Sequence, residues 1–235
     1  MSSKEKIHKF HHSKYQQELW DKQHSNRGGD GGLENILRFD PNQSGEQFGE
    51  IIARKSCILE IGSGNGRDAR YWASQDHVVY CVDFSRVALD QLMKIAHGQE
   101  IAHRIVPVLH DISGGDLPLN DQKFDGFYAR SSLHIEDSKI LKLVKKVDTH
   151  LKPESKILIM GKSEDDTKIR RSVLIDGGLA IDMEEGGHLR RVWTPDFMEE
   201  MCAAVGWGIE YIEQTSEKIN NQRTSFIKLI AQKNG

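Results

Sequence analysis

Residues 57–68 read Cys-Ile-Leu-Glu-Ile-Gly-Ser-Gly-Asn-Gly-Arg-Asp. A short apolar run with one acidic residue leads into three glycines that are each separated by one residue. The apolar run is typical of a strand that is buried on both faces of a parallel sheet. The glycines allow the backbone to turn sharply and to come close to a ligand. We therefore predict a strand, a ligand-binding turn and a helix through Ala73, whose N-terminus Asp68 caps or stabilises by its charge.

A strand, a glycine turn and a helix form half of a nucleotide site. The spacing here is Glu60-x-Gly62-x-Gly64-x-Gly66, whereas dinucleotide-binding proteins have Gly-x-Gly-x-x-Gly. This pattern resembles motif I of the class I S-adenosylmethionine-dependent methyltransferases. The resemblance implies that Glu60 fixes the loop or binds the amino group of the cofactor's methionine part, and that the glycines let the cofactor lie against the backbone. An NAD-dependent dehydrogenase is the alternative, but it would need the other spacing and a catalytic tyrosine-lysine pair.

The next two apolar runs also end in acidic residues. Residues 78–82 lead to Asp83, whose distance from the glycine turn is typical of an acceptor for a ribose diol. Phe84 beside it is placed to cover an adenine ring. Asp83 can also act as the cap of a helix over residues 85–96, and the two roles are compatible. Residues 105–109 lead to Asp111 and Ile112, and the resemblance implies that the Asp111 carboxylate receives the adenine amino group while the Ile112 N–H reaches a ring nitrogen.

The fourth run, Phe124 to Ile135, resembles the family's fourth motif, where the reaction centre opens. His134 is the candidate general base, because a histidine tuned near neutral pH can take a proton from a hydroxyl or ammonium acceptor; a structural histidine is the alternative. Arg130 is expected to pair with the cofactor's carboxylate or with an anionic substrate. The motif lacks both the Asn/Asp-Pro-Pro-Tyr/Phe signature and the paired carboxylates of magnesium-dependent catechol enzymes. It therefore favours a small-molecule O- or N-methyltransferase without a metal.

The resemblance covers about residues 55–232 and implies a doubly wound, seven-stranded, mostly parallel α/β sheet. Periodicity and breaker residues place the other elements. Helices are expected over 46–54, 138–151 and 194–205, and strands over 156–162, 207–212 and 226–232.

Two segments flank or interrupt this domain. We expect residues 1–45 to form an N-terminal helical lid, with Tyr15, Leu19 and Trp20 on one helix face and a glycine-rich loop over 26–32. Within the main domain, residues 46–235, the stretch 163–193 is expected to be a long loop that shapes the substrate pocket. Its basic residues either bind an anionic substrate or form a solvated face, and solvation is the preferred interpretation; they are Arg170, Arg171, His188, Arg190 and Arg191. His8 and His12 share a helix face, where a solvated helix is preferred over a metal site.

The composition limits the possible partners. The chain has 235 residues, of which 37% are hydrophobic and 29% charged, with a net charge of −3. These values describe one globular domain without a global attraction to nucleic acid. The three cysteines indicate neither a disulfide framework nor a zinc site. No apolar run suggests a membrane span or a signal peptide, so a cytoplasmic protein that acts on a small molecule is expected. The alternatives are an RNA or protein methyltransferase, with a basic face from Lys4, Lys6, Lys9, Lys14 and Arg27, and a catalytically silent scaffold.

Overall fold

A computed structural model describes residue 10 and residues 13–27, 40–219 and 222–235. The helices are α1 (Ser13–Arg27), α2 (Gln43–Ile51), α3 (Arg67–Ser74), α4 (Arg86–Gly98), α5 (Asp137–His150), α6 (Thr167–Arg171) and α7 (Pro195–Ala203). The strands are β1 (Cys57–Ile61), β2 (Val78–Asp83), β3 (Ile105–Leu109), β4 (Phe124–Arg130), β5 (Leu151–Lys162), β6 (Val173–Ile175), β7 (Leu179–Asp182), β8 (His188–Arg191), β9 (Trp207–Ile219) and β10 (Gln222–Lys233). A 3₁₀ turn, Ala102–Arg104, precedes β3.

The central sheet has seven strands in the order β3-β2-β1-β4-β5-β10-β9. Strands β1 to β5 are parallel, and β10 is antiparallel to both of its neighbours. The predicted fold class is therefore confirmed. The strand order reverses beside β1, between β2 on one side and β4 on the other. In open sheets of this kind, ligands bind at the carboxyl ends of the strands next to such a reversal.

Helices cover both faces of the sheet. On one face, the aromatic side chains Phe48 of α2 and Trp72 of α3 pack with the apolar residues of α4. On the other face, the apolar stripe of α5 packs with Phe197 and Met198 of α7. Both clusters consist mainly of fully buried side chains, as expected for strands that are apolar on both faces.

Several predicted boundaries differ from those in the structure. The helix expected over 46–54 covers Gln43–Ile51, so it begins three residues earlier than predicted and includes Gly45. A Cβ atom at Gly45 would lie 2.4 Å from a carboxylate oxygen of Asp68, so this glycine serves a close approach between two helices. The last two strands are longer than predicted because they continue as a two-stranded ribbon beyond the apolar runs.

The expectation of a long loop over 163–193 was wrong. This stretch contains α6 and a separate antiparallel sheet in the order β6-β7-β8. Leu179, Ile181 and Leu189 form a small core there with Phe10 and Ile175. The strands have three or four residues each, which is too short for a clear alternation of apolar and polar residues.

No helix in the described part of the chain is long and apolar enough to cross a membrane. All three cysteines are free.

Candidate functional site

A cavity of about 1080 Å³ lies at the carboxyl ends of the central strands. Its volume is slightly above the usual range for ligand cavities, roughly 300–1,000 Å³. Eight of the ten predicted site residues line it: Gly62, Gly64, Asp83, Phe84, Asp111, Ile112, Arg130 and His134. Glu60 and Gly66 do not line it: Glu60 lies beneath the glycine turn, and Gly66 is the last glycine of the turn itself.

The glycine turn is built from residues that need the left-handed backbone region. Gly62, Gly64 and Gly66 have φ angles of 75°, 55° and 71°. A Cβ atom at Gly62 would lie 2.0 Å from the Cβ atom of Ser132, and one at Gly66 would lie 2.1 Å from a methyl carbon of Leu92. These two glycines therefore allow the turn to pack against the segment after β4 and against α4. Gly62 and Gly64 also face the cavity.

Asp83 fastens the glycine turn to the end of β2. Its carboxylate accepts hydrogen bonds from the Gly64 N–H at 2.8 Å and from the Ser85 N–H at 2.9 Å. Burial raises the pKa of Asp83, although the hydrogen bonds from Ser85 and Gly64 act in the opposite direction. The helix cap is Ser85, whose hydroxyl accepts from the Ala88 N–H. Since a carboxylate has about four acceptor positions, Asp83 can also accept from a diol.

Acidic side chains also lie under the turn. The Glu60 carboxyl group is buried, with no hydrogen-bond partner for Oε2 among the described residues. Burial, with the carboxylates of Asp68 and Asp83, raises the pKa of Glu60 well above its usual value. The N-cap of α3 is Gly66, not Asp68. Asp68 lies in the first turn, where its carboxylate accepts from the Asn42 backbone N–H at 2.7 Å and from the Tyr128 hydroxyl at 2.9 Å.

At the end of β3, Asp111 accepts a hydrogen bond from the Ser113 N–H at 2.8 Å and another from the Ser13 hydroxyl of α1. Burial opposes ionisation of this carboxyl group, but the hydrogen bonds from Ser13 and Ser113 outweigh it and lower the pKa of Asp111. Asp111 is therefore held as a carboxylate at the cavity wall.

Helix α1 covers the cavity and contacts both of its sides. On the β2 side, Gln17 donates to the Phe84 carbonyl at 2.8 Å, and Asp21 accepts from the Ser85 hydroxyl. On the side of the small sheet, the buried Gln16 amide donates to the Gly187 carbonyl at 3.0 Å and accepts from the Leu189 N–H at 2.9 Å. Helix α1 thus lies along the cavity, and its role as a lid stays a prediction. The glycine-rich loop and His8 and His12 lie outside the described residues, apart from the end of α1 at Arg27.

His134 lies at the end of the cavity between β4 and the small sheet. Its Nδ1 accepts from the Arg191 backbone N–H at 3.1 Å, and its ring stacks on Trp20 at a centroid distance of 5.9 Å. Burial, together with Arg190 and His188, lowers the pKa of His134 to about 3. Because Nδ1 accepts, the neutral ring carries its proton on Nε2. Nε2 is buried without a hydrogen-bond partner among the described residues.

The preferred interpretation of His188, Arg190 and Arg191 as solvated was wrong, and His188 is 5% exposed. Arg190 is 8% exposed and Arg191 is 2% exposed. Arg191 forms an ion pair with Asp137 and donates to the Gly177 carbonyl at 2.8 Å. Arg190 lines the cavity, whereas Arg170 and Arg171 of α6 are exposed. The two buried arginines are brought inward by the small sheet, which the sequence pattern did not reveal.

Residues 58–154 match the family described as a methyltransferase domain. This part of the chain is therefore a methyltransferase domain, and its seven-stranded sheet has the class I methyltransferase fold. The match begins in β1 and ends in β5, so it includes the glycine turn and the ends of the first four strands. A comparison with curated protein sequences finds no match.

Solved structures share the fold of the methyltransferase domain at low identity. A SAM-dependent methyltransferase from Methanosarcina mazei is 17% identical, with a TM-score of 0.68 over 79% of this chain and 95% of that one. The glycopeptide N-methyltransferase MtfA, complexed with sinefungin, is 19% identical, with a TM-score of 0.61 over 83% and 87%. The 1,6-didemethyltoxoflavin-N1-methyltransferase of Burkholderia thailandensis, with bound 1,6-didemethyltoxoflavin and S-adenosylhomocysteine, is 19% identical, with a TM-score of 0.60 over 82% and 79%.

The cavity of the methyltransferase domain is also lined by residues that were not predicted from the sequence. Lys162 at the end of β5, Gln16 of α1 and Phe226 of β10 all line it. Lys162 was recognisable in principle, because it follows an apolar strand just as Asp83 and Asp111 do. No group of three or more His, Cys, Asp or Glu in the described ranges is arranged to hold a metal ion.

Proposed function

We propose that the chain transfers the methyl group of S-adenosylmethionine to an oxygen or nitrogen atom of a small molecule. One observation carries this proposal: a single cavity joins the acidic ends of β2 and β3 to the end that contains His134 and Arg190, and α1 lies across it. A covered cavity suits a small acceptor better than a polymer, since a polymer needs an open groove.

The residues of the cavity fit the parts of the cofactor. We assign the ribose diol to Asp83, with Phe84 against the adenine, and the adenine edge to Asp111 and Ile112. The backbone at Gly62 and Gly64 is assigned to the methionine part. Glu60 lies under this turn and Gly66 ends it. The predicted contact of Glu60 with the amino group stays a prediction, as does that of Arg130 with the carboxylate.

When bound, S-adenosylmethionine supplies a methyl group activated by a positively charged sulfur. The remaining task of the protein is alignment, which accounts for about 7–11 kcal/mol of a barrier in favourable cases. Helix α1 serves this task because its contacts at Phe84 and at Leu189 fix the distance between the two ends of the cavity.

The role of His134 as a general base stays a prediction. Its Nδ1 is occupied by the Arg191 N–H, so in this state the ring presents an Nε2–H donor, not an acceptor. A donor at this position suits an acceptor molecule with an oxyanion or a carbonyl group. Removal of a proton by His134 would first require the Nδ1 hydrogen bond to break.

Each alternative function predicts a different result in binding or activity measurements. Methylation of RNA or protein would show a steep loss of binding with salt, and of the basic residues named for it only Lys14 has a described side chain. A silent scaffold would bind the cofactor without turnover. The cytoplasmic location expected from the sequence also stays a prediction.

Calorimetric titration with S-adenosylmethionine, S-adenosylhomocysteine and NAD tests the proposal. We expect both sulfur ligands to bind and NAD not to bind. The Asp83→Ala variant should weaken binding of S-adenosylhomocysteine about ten- to hundredfold, because a hydrogen bond to a charged group contributes roughly 1.5–3 kcal/mol. Asp90→Ala, at an exposed position on α4, is the matched control. If Asp83→Ala and Asp90→Ala bound S-adenosylhomocysteine equally well, the assignment of the ribose diol to Asp83 would be wrong. Binding of NAD without either sulfur ligand would contradict the proposed function.

A further inference from the structure

Two cations, Lys162 and Arg190, lie at the end of the cavity beyond His134, and we call them the cationic pair. Lys162 ends β5 and Arg190 belongs to β8, so two separate sheets bring them to one wall. Their charges also affect each other and His134. The charge of Arg190 lowers the pKa of Lys162, and the charges of both residues lower the pKa of His134.

Each member of the cationic pair forms an ion pair with a carboxylate that also binds other groups of the protein. The Lys162 ammonium lies 2.9 Å from Asp166. Asp166 also accepts from the Lys168 and Ser225 backbone N–H groups, at 3.0 and 3.1 Å. Arg190 is paired with Glu185, which also pairs with Lys168.

Arg190 has one further donor at the cavity. Its Nε lies 3.9 Å from an oxygen of Asp182, too far for a hydrogen bond, and it has no hydrogen-bond partner among the described residues. Its guanidinium carbon lies 5.3 Å from the centroid of the Trp20 ring. The buried Nε2–H of His134 is a second donor of this kind.

Burial of two like charges near each other is unfavourable. Burial lowers the pKa of Lys162, and Arg190 and Lys168 lower it further, although Asp166 acts in the opposite direction. Burial also lowers the pKa of Arg190. Lys162 is paired with Asp166, and Arg190 with Glu185. An oxyanion bound between the two cations would reduce the repulsion between them.

Aromatic surfaces lie beside the same cations. The Phe226 ring centroid is 5.5 Å from the Lys162 ammonium and 5.3 Å from the guanidinium carbon of Arg130. Trp20 lies on the other side, against His134 and Arg190. Flat apolar walls next to charged donors are typical of a site for an aromatic or other planar molecule with a charged substituent.

We propose that the methyl acceptor is a planar small molecule with an oxyanion group, carboxylate or phosphate, which the cationic pair binds through charge-assisted hydrogen bonds. The inference rests on the proposed function, because it names the acceptor class of the same cavity. Arg190 has the geometry for such a group, since a guanidinium can bind an oxyanion with two parallel N–H groups. The alternative is that both cations only stabilise the small sheet against β5.

The test uses the protein saturated with S-adenosylhomocysteine and three probes: benzoate, phenyl phosphate and benzamide. Benzamide has the shape of benzoate without its charge. We expect calorimetry to show binding of benzoate or phenyl phosphate at least tenfold tighter than that of benzamide. Preference for one of the two anions would identify the oxyanion as carboxylate or phosphate.

Arg190→Gln should abolish the preference for the anionic probe over benzamide. Arg170→Gln is the matched control, because Arg170 is exposed on α6 and pairs with Asp165 outside the cavity. The affinity for S-adenosylhomocysteine reports whether the Arg190 variant is folded. Should that affinity be lost, Lys162→Met is the deciding variant, and we expect it to weaken the anionic probe at least tenfold.

The possible results distinguish failure of the proposed function from failure of the oxyanion site. Failure of S-adenosylhomocysteine to bind the unchanged protein would contradict the proposed function itself. Binding of S-adenosylhomocysteine without any preference for benzoate or phenyl phosphate over benzamide would overturn only the oxyanion site. The same is true of a folded Arg190→Gln or Lys162→Met variant that keeps the full preference.

Discussion

Glu60 is an acidic side chain that the fold keeps away from water. Its carboxyl group lies under the glycine turn with Asp68 and Asp83 nearby, and its pKa is raised well above the usual value, first by burial. Between the ordinary carboxyl pKa and this raised value, the folded state binds more protons than the unfolded state. Stability therefore falls as the pH rises above about 4.3, the ordinary value for glutamate.

Glu60→Gln should remove this loss, because glutamine has the same shape and no proton to lose. We expect the ligand-free variant to melt a few degrees above the unchanged protein at pH 7–8, since about 1 kcal/mol shifts Tm by roughly 2–4 °C in a chain of this size. The difference should disappear as the pH falls to about 4. Thermal melts from pH 4 to pH 8 measure this, with Glu50→Gln at an exposed position as control. If Tm depended on pH in the same way in Glu60→Gln and Glu50→Gln, ionisation of Glu60 would not be the cause of the lost stability.

His134 should stay neutral over the whole physiological range. Burial and the nearby cations lower its pKa to about 3, and its Nδ1 accepts from Arg191. We expect nitrogen-detected NMR of the imidazoles to show His134 as the Nε2–H form from pH 5 to pH 8. His97, which is exposed on α4, provides the reference signal. A His134 signal that titrates near pH 6.5 would instead support the predicted general base.

At the scale of the element, α1 is held to the small sheet by Gln16. This buried side chain makes three hydrogen bonds, to the Phe10 carbonyl, the Gly187 carbonyl and the Leu189 N–H. Removal of its amide leaves a buried backbone N–H without a partner, which costs about 1–3 kcal/mol. The cost falls on the docking of α1, not on the central sheet.

Gln16→Ala should therefore loosen α1 without unfolding the domain. We expect hydrogen exchange of the α1 amides to become roughly ten- to hundredfold faster, while exchange in β1 and β4 stays unchanged. Glu18→Ala, at an exposed position on the same helix, should leave exchange as it is. Addition of S-adenosylhomocysteine should slow exchange in α1 of the unchanged protein. If the α1 amides exchanged equally slowly in Gln16→Ala and Glu18→Ala, contacts other than those of Gln16 would hold α1.

At the scale of the whole molecule, the parallel part of the sheet was predictable because its strands are continuous apolar runs that end in polar residues. This rule placed Asp83, Asp111 and Arg130 at the cavity, where the structure has them. It could not place Arg190, because the three short strands around it lack a pattern of their own. Their order depends on contacts with Phe10 and α1 that lie far away in sequence.

The hydrogen bonds of Gln16 also restrict when the site can form during synthesis. Its partners Gly187 and Leu189 follow it by 171 and 173 residues. Since a chain leaves the ribosome from its N-terminus, α1 emerges long before either partner exists. The cover of the cavity is thus among the first segments to be made and among the last to find its place. A nascent chain that has completed β1 to β5 has the glycine turn but not the covered cavity, so capture of both ligands has to wait for nearly the whole polypeptide.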